Sequence, residues 1–202
     1  IYDRDHSAIS LTEAQVYDWP GIFADGQWFH VTGITPAISS QAAEATVAAV
    51  REAKQAGLTV SCDLNFRAKL WQWEPETPKR DLAKRVMSEV LTSVDVLIAN
   101  EEDCGDVLGI RGEHSDVHSG KLDIASYPEV AKQVVAEFPN IGIVATTLRE
   151  SLSASHNNWG AMLYAAQSET AIFAPRRSND YAPYAIRNIV DRVGGGDSFA
   201  AG

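Results

Sequence analysis

The sequence predicts an α/β fold with a mostly parallel sheet, helices over both its faces and antiparallel strands toward the C-terminal end. Three observations carry this reading. Short apolar runs recur at residues 28–34, 58–64, 94–99 and 141–148, each the length of a buried strand. Between them lie stretches with helical spacing of small and apolar residues, and strand–helix alternation of this kind gives right-handed βαβ crossovers. After residue 148 the rhythm changes to closely spaced strand-like runs at 159–166, 169–174 and 186–190, which short connections can only join antiparallel.

Taken in order, residues 1–10 start extended, and 13–19 form a short helix that stops at the Pro20-Gly21 pair. The run WFHVTGI at 28–34 is a strand. Ser39 or Ser40 caps the next helix, where Ala42, Ala45, Ala49, Ala53 and Ala56 fall at helical spacing before Gly57. The run LTVSCDL at 58–64 is a strand that passes into Asn65-Phe66-Arg67. A polar, Trp-containing loop precedes a helix over about 78–91, a buried strand at 94–99 and a short helix over 101–108. Residues 110–126 read as a loop, 127–138 as a helix and 141–148 as a strand. In such a fold, ligands bind beyond the carboxyl ends of the strands. Those ends carry Thr32-Gly33, Asp63-Leu64-Asn65, Asn100 and Thr146-Thr147.

Composition narrows the function. The chain has 202 residues, 45% hydrophobic and 22% charged, enough for one domain with a substantial core. Its net charge of −10 argues against a general nucleic-acid or anionic-membrane binder. It leaves room for an anionic ligand, since a glycine nest or a few arginines decide that locally. Cys62 and Cys104 form no C-x-x-C pair and read as buried, reduced thiols of a cytoplasmic protein. No run approaches a membrane span. Ile1 is not an initiator Met and Gly202 falls one turn into a helix, so the chain reads as an internal piece of a longer one.

The chemistry concentrates in a few short motifs. Residues 191–202 read DRVGGGDSFAAG. Gly194, Gly195 and Gly196 let backbone N–H groups close on an anion, and a helix starting there adds its positive end. Asp197 stands where a carboxylate can take a proton from an attacking hydroxyl. A tight turn with an N-capping Asp is the plainer reading of the same residues. Asp63, Asn65 and Arg67 form D-x-N-x-R; Asp63 and Asn65 share one strand face while the chain stays extended, and Arg67 can grip an anion with two N–H groups. An Asx turn with a solvated Arg is the alternative. Asn100 and Asp103 form N-x-x-D within NEED, either hard oxygen ligands near a metal or acidic residues favouring a helix start. His114 and His118 have zinc-chelating spacing but lie in a polar loop without cysteine partners. No phosphate-binding G-x-x-x-x-G-K-[ST] loop occurs.

Together Tyr2-Asp3-Arg4, DLNFR at 63–67, ANEED at 99–103, TLRES at 147–151 and DRVGGGD at 191–197 resemble, in order and spacing, the ribokinase-like (PfkB) carbohydrate kinases. Arg192 and Gly195, where that family commonly has Thr and Ala, are similar to the branch acting on 2-keto-3-deoxygluconate. The resemblance implies a three-layer αβα ribokinase-like fold, truncated at both ends, with residues 1–202 as a single incomplete kinase domain. It implies ATP-dependent phosphorylation of 2-keto-3-deoxygluconate at its C6 hydroxyl, with Asp197 as general base and Gly194–Gly196 as anion hole. Tyr2, Arg4, Arg67 and Asp197 would then bind substrate, and Asn65, Arg67, Thr147, Arg149, Ser151, Gly194 and Gly196 the nucleotide. Asn100 and Asp103 would arrange Mg2+ through water, Asp103 standing where the family pattern has the longer Glu. ATP and Mg2+ are the implied cofactors, and an oligomer of identical chains is expected. The competing readings are another sugar kinase of the same fold, of fructokinase or ribokinase type, or a non-catalytic ligand-binding fragment.

Overall fold

The computed structural model describes residues 4, 6–112, 124–191 and 193–202. Its first elements are a short helix α1 (Ala8–Leu11), a 3-10 turn (Ala14–Val16) and α2 (Trp19–Phe23). The segment expected to be extended therefore turns helical from Ala8. Pro20 and Gly21 lie inside a helix rather than ending one. Pro20 occupies the first turn, where its missing N–H costs nothing, and the Asp18 carboxylate accepts from the Gly21 N–H at 3.2 Å.

Four parallel strands follow: β1 (Trp28–Thr32), β2 (Thr59–Asp63), β3 (Val96–Ala99) and β4 (Ile143–Ser153), each next to its predecessor. The crossovers are α3 (Ser40–Gln55), α4 (Lys79–Leu91), and a third formed by α5 (Glu101–Asp103), a π-helical turn (Cys104–Leu108) and α6 (Tyr127–Glu137). Every step runs the same way across the sheet, so right-handed crossovers put α3, α4 and α6 on one face. Burial follows: Val144, Thr146 and Leu148 of β4 are buried, while Ile143, Ala145 and Thr147 between them are half-buried. The last helix is α7 (Gly195–Ala201), where a Cβ on Gly195 would stand 3.6 Å from the Trp159 ring.

Strand β4 continues past residue 148 and turns into β5 (His156–Ala165), which pairs with it antiparallel from Ile143↔Ala165 to Ser153↔His156. On the far edge β5 pairs both β6 (Thr170–Ala174) and β9 (Tyr184–Arg187). A two-stranded ribbon, β7 (Arg176–Arg177) with β8 (Asp180–Tyr181), interrupts them and escaped the sequence reading. The last predicted strand, 186–190, forms earlier, at 184–187, and Val190 is fully exposed.

The core lies between this sheet and its helical layer, around Val50, Val60, Leu82, Leu91, Leu97 and Leu148. Both cysteines are buried there outside any disulfide, and burial pushes the Cys62 thiol up. Trp71, in the predicted polar loop, is 1% exposed; neighbouring Trp73 donates its indole N–H to the Pro36 carbonyl at 3.2 Å.

At the amino ends of the strands Asp95 ties three of them together. Its carboxylate accepts from the Val60 N–H at 2.8 Å and from Lys54 Nζ at 2.7 Å, and its carbonyl accepts from the N–H groups of Gly142 and Ile143. Helix α3 is anchored differently. Ser39 Oγ accepts from the Ala42 N–H at 3.0 Å and donates to the Ser10 carbonyl at 2.8 Å, capping α3 while holding α1 against it. Ser39→Ala should lower stability by about 1–2 kcal/mol in urea unfolding. Ser39→Asp, which keeps the acceptor and loses the donor, should recover part of that loss; an unchanged midpoint in Ser39→Ala would contradict the double role.

Candidate active site

Beyond the carboxyl ends of β1, β2 and β3, backbone hydrogen bonds draw three strand ends together. The Gly33 N–H reaches the Asp63 carbonyl at 2.8 Å, and the Leu64 N–H reaches the Ile98 carbonyl at 3.0 Å. Gly33 has to be glycine, because a Cβ there would stand 2.1 Å from the Leu64 carbonyl oxygen. Register places Thr32 beside Asp63.

After Asp63 the chain does not stay extended. Asn65 takes φ 37°, in the left-handed region that Asn tolerates better than most residues. Asp63 and Asn65 consequently do not share a strand face, as an extended chain would require. Two carboxylates hold the bend. Asp63 accepts from the Asn65 N–H, and Asp103 Oδ1 accepts from the Phe66 N–H at 3.2 Å. Asp103 is itself placed by Asn100, whose Oδ1 accepts the Asp103 N–H at 2.7 Å and so starts α5. The N-x-x-D motif thus clamps the D-x-N-x-R loop to the end of β3.

Asn65 is buried, and its Nδ2 donates to Thr32 Oγ1 at 3.4 Å and to Asp197 Oδ1 at 3.4 Å. Residues 132 positions apart in the chain meet here. Asp197 lies in the first turn of α7. Gly194 is the N-cap in a left-handed conformation, φ 79°, and no side chain caps the helix, so the first N–H groups of α7 remain for another acceptor. Arg67 is exposed; its guanidinium donates to the Phe66 carbonyl at 2.9 Å.

Electrostatics follow from this crowding. Burial pushes the Asp63 carboxyl up to about 6; the Asn65 N–H works against that, the charge of Asp197 adds to it, and Arg67 opposes it. Burial likewise pushes Asp103 up to about 6, against the Phe66 N–H, with the Asp63 charge reinforcing and Arg67 opposing the rise.

The structure therefore brings Asn65, Arg67, Asn100, Asp103 and Asp197 to one place. Thr147, Arg149 and Ser151 lie on β4, not at a strand-to-loop junction: the strand runs on to Ser153, Arg149 stands opposite Trp159, and Ser151 Oγ bonds Asn157 Oδ1 at 3.1 Å. A Cβ on Gly195 would stand 3.6 Å from the Trp159 ring, which places β5 beside the start of α7. Arg4 is exposed ahead of α1, its carbonyl accepting from the Ser7 N–H and Oγ. Tyr2, Arg192, His114 and His118 lie outside the described residues. Thr32 and Asp63, marked in the sequence at strand ends and, for Asp63, within D-x-N-x-R, belong to the cluster although no ligand role was assigned to them. Their signal was available, since equal offsets within β1 and β2 put both at a strand end.

A parallel sheet with right-handed helical crossovers and a polar cluster at its carboxyl edge defines a ligand-binding α/β protein. Residues 1–158 match the model of the pfkB family carbohydrate kinases, and the chain belongs to that family. It is 28% identical over 199 residues to a 2-dehydro-3-deoxygalactonokinase of Haloferax volcanii, covering 98% of this chain and 50% of that protein. The crystal structure of a 2-dehydro-3-deoxygluconokinase from Thermotoga maritima is 40% identical, with a TM-score of 0.82 over 99% of this chain and 54% of that one. A putative ribokinase II from E. coli, solved with ATP and Mg2+, shares the fold at 22% identity and a TM-score of 0.64, over 98% of this chain and 51% of its own. The chain spans about half the length of these relatives.

The raised carboxyls give a pH test with a definite sign. A carboxyl whose folded pKa is raised holds a proton that the unfolded chain has released, so stability falls as pH climbs from about 4 to about 6. The fall should be on the order of 1–3 kcal/mol. Asp63→Asn should flatten that slope in urea unfolding at a series of pH values. An unaltered slope would contradict the burial account of Asp63.

Proposed function

We propose that the protein is a sugar-acid kinase that transfers the γ-phosphoryl group of ATP to the C6 hydroxyl of 2-keto-3-deoxygluconate, giving 2-keto-3-deoxy-6-phosphogluconate. The observation that carries the reading is Asp197: it starts an uncapped helix behind a left-handed Gly194 and is joined by Asn65 to the carboxyl end of the sheet. Similarity to kinases named for 2-keto-3-deoxy sugar acids supplies the substrate class. The family match ends at residue 158, so the role of Asp197 rests on its geometry and on the DRVGGGD motif.

In this reading Asp197 accepts the proton of the C6 hydroxyl as that oxygen attacks phosphorus. The N–H groups of Gly194, Gly195 and Gly196 face the charge on the transferring phosphoryl oxygens, where fixed donors stabilise the transition state most. Arg67, with Arg4 and Tyr2, holds the substrate carboxylate. Asn65, Arg67, Thr147, Arg149 and Ser151 border the nucleotide. Among the described residues no group of three or more His, Cys, Asp or Glu is arranged to hold a metal. Asn100 and Asp103 offer hard oxygen donors, which suit Mg2+ bound chiefly by phosphate and water, as the ion commonly is. Asp103, with one carboxylate oxygen on the Phe66 N–H, is the residue to hold it through water; Asn100 supports Asp103. Bound, the ion neutralises charge on the phosphates.

A coupled ADP-release assay on the natural full-length protein, with 2-keto-3-deoxygluconate, fructose and ribose in parallel, tests the proposal. Turnover is expected with the keto-acid alone. Asp197→Asn should lower kcat by roughly 10²–10⁴-fold with little change in substrate binding. Arg67→Gln should raise KM for the keto-acid. Turnover with a neutral sugar would keep the kinase and discard the role of Arg67, whereas unimpaired kcat in Asp197→Asn would remove the base.

A further inference from the structure

We propose that Asn65 is a positioning residue for Asp197, fixing the rotamer of that carboxylate so that one oxygen, Oδ2, is presented to the substrate hydroxyl. The inference rests on the reading of Asp197 as the base and gives Asn65 a task beyond contact with the nucleotide.

Asp197 is exposed in the first turn of a helix that no side chain caps, so its own surroundings leave its side-chain torsions open. Among the described residues Asn65 is the side chain that hydrogen-bonds it. Asn65, in contrast, is fixed from every side. It is 6% exposed, its backbone is bent to φ 37°, its N–H is taken by Asp63, and the next N–H is taken by Asp103. Both hydrogens of Nδ2 have acceptors, Thr32 Oγ1 and Asp197 Oδ1. The reverse orientation of the amide would set its carbonyl oxygen against a carboxylate, so the neighbours dictate which way it points. An amide suits the task because it donates without charge and takes no proton. A carboxylic acid here would compete with Asp197 for the substrate proton or repel it.

The left-handed backbone supplies a clean probe. Asn65→Gly accepts φ 37° without strain and removes the whole side chain, carboxamide included; Asn65→Asp keeps the shape and replaces the donor by a like charge. In the 202-residue chain, the Asn65 side-chain amide resonance should shift on Asp197→Ala in 1H–15N spectra. In the natural full-length protein, Asn65→Gly should lower kcat about 10–100-fold, the size of a small misplacement of a reacting group, whatever it does to KM for ATP. Asn65→Asp should lose at least as much. An amide resonance that ignores Asp197→Ala overturns the proposal. So does an Asn65→Gly enzyme with intact kcat and raised KM for ATP, the signature of a nucleotide contact alone. If Asp197→Asn keeps full kcat, the base itself fails and the proposal falls with it; if Asp197→Asn is inactive and Asn65→Gly is unimpaired, only the proposal falls.

Discussion

The site depends on one bend in the backbone, the left-handed turn at Asn65 that stops β2 and lifts residues 65–67 over the edge of the sheet. Such a conformation costs energy for a residue with a Cβ. Here buried carboxylates hold it from two strands, Asp63 at the end of β2 and Asp103 beyond β3. Because Gly33 allows β1 to close on the same carbonyls, the turn sits at a junction of three strand ends. Helix α7 joins through the Asn65–Asp197 hydrogen bond.

That arrangement concentrates negative charge in an already acidic molecule. Asp63 feels the charge of Asp197 and Asp103 that of Asp63, and Arg67 is the cation that offsets both effects. In the proposed reading an anionic ligand would be met by Arg67 and by the N–H groups at the start of α7, which carry partial positive charge without a side chain. The two buried carboxylates hold backbone N–H groups, whereas the exposed Asp197 is bonded to the Asn65 side chain, which in the proposed reading leaves it an oxygen for chemistry. Asp95 performs the same backbone-holding task at the opposite end of the strands.

Much of this was legible in the sequence, and the failures have physical causes. Periodicity located β1 to β4 and their long helices because burial on one side leaves a strong pattern. It failed at Pro20, where a helix start and a helix stop use the same residue, and at β7–β8, where two-residue strands have no period to detect. The motif residues Asn65, Arg67, Asn100, Asp103 and Asp197 were visible as types, but their roles were not. D-x-N-x-R left an extended strand and an Asx turn both open, and the structure takes the turn, with the Asp63 carboxylate on the Asn65 N–H; what no spacing could show is Asp103, 37 positions from Phe66, holding the next N–H. The meeting of Asn65 with Asp197 is likewise a property of the folded sheet and invisible to spacing.

The most direct measurement is a crystal structure of the natural full-length protein with 2-keto-3-deoxygluconate and a non-hydrolysable ATP analogue. The account predicts the C6 hydroxyl within hydrogen-bonding distance of Asp197, the γ-phosphate over the Gly194–Gly196 N–H groups, and the substrate carboxylate at Arg67. A hydroxyl directed away from Asp197, with Arg67 turned to solvent, would contradict it.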